Sequence, residues 1–418
     1  MTLKVLSLAF LVSINSWAID PGSLTSDFIE LSNRHKVGLI KDQAFCYEND
    51  GATLGYQVDK LQRIASVTKL FTTLMVSETT DLRKTFTTRV YVGKDRLHIE
   101  GSRDPYFEEE KMLLLIQSLN KLGHRRFKQV SFNKDFKFYD VALESFLLIT
   151  PNETRSRLQY YLSPGSKTFI RNIWKGILKF STEENVTLDP TLPALQADAV
   201  VLSEVNPLLS ENPQVYVHTS RPLHQILKAM NVMSKNTVSQ NVYDDAAKIK
   251  SFTQLASQLQ LPANTFRIYN GSGLPIINRS GRLDNQATCR TVLVTVKRLT
   301  ESLSKHGLRI SDVAAVSGRK DLGTFRDRFH EDPQTNESVV AKTGTLKHTS
   351  SIAGLLFIDE KIPFSILNHS TNALAARKFQ DLFISRFFQH LGSADPIEYQ
   401  KISTFPVKSP DFMIQTHE

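Results

Sequence analysis

The chain has 418 residues, 41% of them hydrophobic and 22% charged, enough apolar material for two or three packed domains and too much for a disordered chain. Two cysteines far apart exclude a disulfide framework and a Cys-x-x-Cys pair, and none of the 11 histidines sits in a His-Glu-x-x-His zinc motif. The formal net charge of +9 favours an anionic partner.

The chain opens with MTLKVLSLAFLVSINSWAID: one lysine, an apolar run from Val5 to Ile14, and small residues at Ser16 and Ala18. This is the pattern of a secretory leader cut after Ala18. The run is shorter than the roughly 20 residues a membrane span needs, and no later stretch is long or apolar enough, so an exported protein without a transmembrane anchor is expected. For such a protein the positive charge suits a cell-wall polymer or membrane surface rather than nucleic acid. Oxidising surroundings allow Cys46 and Cys289 to pair, but two separate buried thiols are the expectation.

Two short strands follow around the Asn49-Asp50-Gly51 turn. In SVTKLFTTLMV, Val67, Leu70, Phe71 and Leu74 recur at helical spacing, which places Ser66 at a helix start and Lys69 one turn later on the same face. Residues 87–215 change texture: alternating strands, a helix at EEEKMLLLIQSLNKLG, further strands, then an irregular Pro-, Asn- and Ser-rich stretch. They read as an insertion. Downstream, RPLHQILKAMNVMSKNTVSQNVYDDAAK is helical, and SVVAKTGTL, SSIAGLLFID and IPFSILNHS form three consecutive antiparallel strands. The next helix carries Leu374, Phe379, Leu382, Phe383, Phe387 and Leu391, expected as one stripe covering a sheet face. The organisation predicted is a leader (1–18), one domain built from 19–86 and 216–392, an inserted domain (87–215) and an extended C-terminal tail (393–418).

Ser66 and Lys69 form a Ser-x-x-Lys pair, but four other such pairs occur, so spacing alone does not mark a nucleophile. A serine hydroxyl needs a base and donors for the oxyanion. Lys69 could be that base only when neutral, which requires lowering a pKa of about 10.4 by roughly three units, at about 4 kcal/mol. A second positive charge in an apolar, closed surround would help. VVAKTGTLKHTSS holds the only Lys-Thr-Gly, at Lys342, Thr343 and Gly344. A strand ending this way offers an ammonium and a hydroxyl to a substrate carboxylate, and a glycine against which a peptide backbone can lie. Thr345 can aim its backbone N–H at the carbonyl oxygen that faces the N–H of Ser66. Ser-x-Asn occurs seven times; Ser234-Lys235-Asn236 is preferred because it caps a helical stretch.

Ser-x-x-Lys, Ser-x-Asn and Lys-Thr-Gly in this order are the three motifs of the penicillin-recognising serine enzymes. More narrowly, the chain resembles the class C low-molecular-mass penicillin-binding proteins, the D-alanyl-D-alanine carboxypeptidase and endopeptidase family. LHIEGSRDPYF, YNGSGLPIINR and GTFRDRF add to the likeness, which covers most of Val37 to Leu391. The resemblance implies an α/β (α+β) transpeptidase-like fold, an antiparallel sheet flanked by helices with one inserted domain. It implies a periplasmic serine DD-peptidase that needs no cofactor or metal, acts on peptidoglycan stem peptides and is blocked covalently by β-lactams. Carried over, Ser66 is acylated, Lys69 activates it, Ser234 and Asn236 pass the proton toward the leaving amine and hold the substrate amide, and Lys342, Thr343 and Thr345 bind the terminal carboxylate alongside Gly344.

The chain departs from the family pattern at three places. Lys235 stands where Asp is usual and adds a positive charge near the site; Ile64 replaces Pro; Pro275-Ile276 replaces Ser-Arg, whose arginine is linked to recognising the stem. Competing readings are a catalytically retired penicillin-binding or cell-wall-binding module and a β-lactamase-like hydrolase. A class A β-lactamase needs a Glu-x-x-x-Asn between the second and third motifs, and Glu301, Glu331 and Glu337 all lack the asparagine.

Overall fold

The computed structural model describes residues 21–139, 149–279, 281–318, 320–329, 332–407 and 412–415; the expected leader lies outside them. The β-branched and apolar runs Val339–Leu346, Thr349–Phe357 and Lys361–Asn368 form the expected antiparallel meander, and Gln43–Asn49 pairs with its far edge. Ala315–Val316 and Ala52–Tyr56 complete a six-stranded sheet. Every residue of Thr349–Phe357 is buried, because helices cover both faces.

One face is covered by Pro21–Arg34 and the C-terminal helix Ala373–Leu391. Phe28, Phe45, Phe379, Phe383 and Phe387 interlock there, with centroids such as Phe28–Phe45 at 4.6 Å and Phe45–Phe383 at 4.9 Å. The predicted stripe is narrower than expected. Phe379, Phe383 and Phe387 face the sheet, but Leu374 and Leu382 are 64% and 43% exposed. At 100° per residue, position 374 lies opposite the line through 379, 383 and 387 and position 382 about 100° to its side, so both point away from the sheet.

Against the opposite face pack the helix Thr68–Thr79, which follows Ser66, and the helix Cys289–Lys305. Cys289 opens the latter directly over Cys46 of the strand Gln43–Asn49, and the two are bonded, with Cα atoms 5.9 Å apart. The expectation of separate thiols is therefore corrected: antiparallel pairing of the chain's early strand with its late ones carries Cys46 to a helix 243 residues on. By chain entropy so long a loop stabilises the fold by up to about 5 kcal/mol.

A second six-stranded sheet is built from Thr87–Val92, Arg96–Glu100, Arg126–Phe132, Gln196–Leu202, Gln214–Thr219 and Ile414–Gln415. It has its own core around Val90, Ile99, Leu113, Phe127, Phe132 and Trp174. The C-terminal segment is no loose tail. The hydroxyl of Tyr399 donates to Asp321 at 2.7 Å in the first lobe, Thr404 engages Glu184 in the second, and Phe405, Val407 and Phe412 are buried there. Prolines keep residues 393–407 from being helical, and the spaced aromatics anchor this stretch as an extended strap.

Candidate active site

Ser66 lies in the short turn Ala65–Val67 that feeds the helix Thr68–Thr79, and Lys69, one turn on, is fully buried. The Lys69 Nζ donates to Ser66 Oγ at 3.2 Å, to Asn236 Oδ1 at 2.8 Å and to the carbonyl of Ser272 at 2.8 Å. In the sequence Ser272 is set apart only by its place in Asn-Gly-Ser-Gly. Its position depends on the two flanking glycines. A Cβ on Gly273, whose φ is +82°, would lie 2.0 Å from the Ala65 carbonyl oxygen, and one on Gly271 would lie 2.2 Å from Tyr243 Cβ. Only glycine lets this segment press against the serine turn and the neighbouring helix.

The strand Val339–Leu346 runs past the same turn. A Cβ on Gly344 would be 2.9 Å from the Ser66 nitrogen and 2.7 Å from the Ile64 carbonyl oxygen, so the glycine allows the backbones to touch. Ser351 on the adjacent strand anchors the turn by donating to Ile64 O at 2.7 Å. Lys342 is fully buried and donates to Ser234 Oγ at 3.1 Å and to the Thr343 carbonyl at 2.8 Å. Burial lowers its pKa to about 7, because an ammonium loses its hydration there. Ser66, Ser234, Thr343 and Thr345 line one cleft of about 950 Å³ that continues to the C-terminal helix. All the candidate residues are thus within one constellation.

Ser234 differs from expectation in how it is held. The helix begins at Asn236, and Ser234 sits before it in the left-handed region, φ +56°. Its hydroxyl meets Lys342 rather than capping the helix, for the strained turn aims it across the cleft.

Lys235 also corrects the sequence reading. Its Nζ lies 2.5 Å from Glu108 and 3.4 Å from Glu110, over the ring of Tyr106 at 4.8 Å. Thr237 donates to the other oxygen of Glu108 at 2.5 Å. Burial opposes the ammonium, but the two glutamates outweigh it and hold the Lys235 pKa well above the ordinary lysine value. The added charge is therefore neutralised by partners from the GSRDPYFEEE segment of the second lobe. Sequence inspection could have paired them only by noticing that a buried lysine needs an acid. Among the described residues, Glu108, Glu109 and Glu110 are the one group with three potential metal-ligand atoms within 4.8 Å, and the Lys235 ammonium already engages two of these acids.

Chemically, the arrangement places a hydroxyl beside a buried amine, a second amine–hydroxyl pair across the cleft, and a strand edge bearing two threonine hydroxyls. That is the equipment of acyl transfer through a serine ester.

Residues 195–386 match the model of the D-Ala-D-Ala carboxypeptidase 3 (S13) family. A comparison with curated proteins found no match. Among solved structures the chain is similar to Bd3459, a predatory peptidoglycan endopeptidase of Bdellovibrio bacteriovorus, at 22% identity and a TM-score of 0.75, covering 89% of this chain and 98% of that one. It is also similar to the Bd0816 predatory endopeptidase of that organism, at 23% identity and a TM-score of 0.70 over 89% and 99% of the two chains. The third is penicillin-binding protein 4 of Haemophilus influenzae, at 14% identity and a TM-score of 0.55 over 87% and 99%. One Bd3459 structure is acylated by penicillin G. At these identities the likeness establishes the fold.

Proposed function

We propose that this chain, a serine DD-peptidase of the low-molecular-mass penicillin-binding-protein type, cleaves D-alanyl bonds of peptidoglycan through an acyl-enzyme on Ser66. The observation that carries the proposal is the Lys69 Nζ, held by Asn236 and Ser272 at hydrogen-bond distance from the Ser66 hydroxyl. In its neutral form Lys69 takes the hydroxyl proton as Oγ attacks the D-alanyl carbonyl. The oxyanion meets the backbone N–H groups of Ser66 and Thr345. Ser234, bonded to Lys342, relays to the leaving amine the proton that Lys69 took as the C–N bond breaks, and water then adds to the acyl carbon, its proton passing through Lys69 back to Ser66 Oγ as the acyl group is released. An unpaired Lys235 charge beside the serine would favour a catalytically retired module, and the pairing of Lys235 with Glu108 argues against that reading. No helix among the described residues is long and apolar enough to cross a membrane, which is compatible with an exported, periplasmic enzyme working directly on the wall.

Lys342 gives the proposal a pH signature. A substrate carboxylate is gripped by the ammonium form, which is present below about pH 7 and lost above it in the free enzyme. Binding the carboxylate raises that pKa again. The kcat/KM for a substrate with a free terminal carboxylate should therefore decline as pH rises through about 7, while kcat changes less. The same peptide with an amidated terminus should lack that limb; identical limbs for both would refute the assignment.

The substrate range should be broad. Ile276 stands where an arginine would grip the stem, and a charged hydrogen bond of that kind contributes roughly 1.5 to 3 kcal/mol. Without it, trimming of pentapeptide termini and cutting of D-alanyl cross-links should proceed within about tenfold of each other. Chromatography of peptidoglycan fragments before and after incubation measures both; pentapeptides trimmed while cross-linked dimers stay intact would reject this.

A further inference from the structure

Along the C-terminal helix, Leu374, Arg377, Lys378, Asp381, Leu382 and Arg386 recur at three- and four-residue spacing, which puts them on one face. That face borders the cleft rather than the sheet. From 374 to 386 it extends about 18 Å at 1.5 Å per residue, room for roughly five residues of extended peptide at about 3.3 Å each. Its charge is predominantly positive. Asp381, the one acid of the stripe, is bound by the buried Arg328 at 2.5 Å, which leaves Arg377, Lys378 and Arg386 as its cationic groups, with Asp27 of the helix Pro21–Arg34 lying 3.7 Å from Arg386. On the opposite wall, Asp332 is engaged in capping Gln334, and Asp327 also faces the cleft. Arg377 ties the face to the catalytic end, since its Nη2 donates to Thr345 Oγ1 at 3.2 Å.

Direction follows from the reaction, so the inference rests on the peptidase reading above. With the scissile carbonyl at Ser66 and the carboxylate of the leaving residue at Thr343 and Thr345, any chain attached to the leaving residue must continue past Thr345 toward this helix. When a pentapeptide is trimmed, the leaving group is free D-alanine and nothing extends there. When a cross-link is cut, the leaving amine belongs to a second stem, a peptide rich in carboxylates. We propose that the cationic face of the C-terminal helix binds this amine-side stem, with Lys378 and Arg386 meeting its carboxylates and the exposed Leu374 and Leu382 its apolar atoms. The face thereby favours cross-link cleavage over terminal trimming.

The test uses the full chain and the double variant Lys378→Glu/Arg386→Glu, assayed on a purified pentapeptide monomer and a purified cross-linked dimer, with acylation by penicillin G as a check on the serine itself. Penicillin brings no amine-side peptide. The expected result is a fall of tenfold or more in the ratio of dimer to monomer kcat/KM, carried by the dimer KM, with acylation retained. A ratio unchanged within twofold overturns the inference, whether both rates fall together or neither moves. The parent reading fails separately, and visibly, if the unsubstituted chain cuts neither substrate and is not acylated.

Discussion

Replacing Lys69 by methionine will slow acylation of Ser66 by about 10²- to 10⁴-fold, the range a positioned general base contributes. Methionine nearly preserves the volume of a fully buried side chain but can neither take the serine proton nor donate to Asn236 Oδ1 and Ser272 O. Leaving those acceptors unpaired costs about 1 to 3 kcal/mol each, so some stability will be lost as well. The two effects separate by measurement: chemical denaturation reports the stability, and the rate of penicillin acylation under conditions where the variant is folded reports the chemistry. A rate within tenfold of the unsubstituted chain would show that some other group activates Ser66.

Glu108→Ala will destabilise the chain by about 3 to 5 kcal/mol, because it strands a buried ammonium. Lys235 would keep only Glu110 at 3.4 Å, and Thr237 would lose its acceptor. Since Lys235 sits between Ser234 and Asn236, acylation should suffer in the folded fraction too. The double variant Glu108→Gln/Lys235→Met removes both charges and keeps an acceptor for Thr237. It should recover most of the lost stability, as apolar replacement of a buried pair commonly does. Denaturant titration of the three proteins measures this. A loss under 1 kcal/mol in Glu108→Ala would mean that the second lobe does not brace the Ser234 loop.

What the sequence made legible is what is encoded locally or by rare motifs. The meander Val339–Leu346, Thr349–Phe357, Lys361–Asn368 follows from β-rich runs and short turns, and Ser66 at a helix start follows from the spacing of Val67, Leu70, Phe71 and Leu74. Illegible were the partners joined only by tertiary folding. Glu108 lies 127 residues before Lys235, and nothing near either announces the other. Cys46 reaches Cys289 only because an early strand completes a late sheet. The strap from Tyr399 to Val407 has too little periodicity to declare its burial, and the exposed leucines of the C-terminal helix differ from its core phenylalanines only by their angle about the axis. Ser272 acts through a backbone carbonyl, which any residue carries, so its side chain gives no hint of it.

Mass spectrometry of the intact protein after exposure to penicillin G tests the central claim most directly. The account predicts a single adduct of one penicillin on the unsubstituted chain, located by peptide mapping to Ser66, and no adduct on Ser66→Ala. An adduct that persists in Ser66→Ala, or that maps to Ser118 or Ser302 in their own Ser-x-x-Lys pairs, would contradict it.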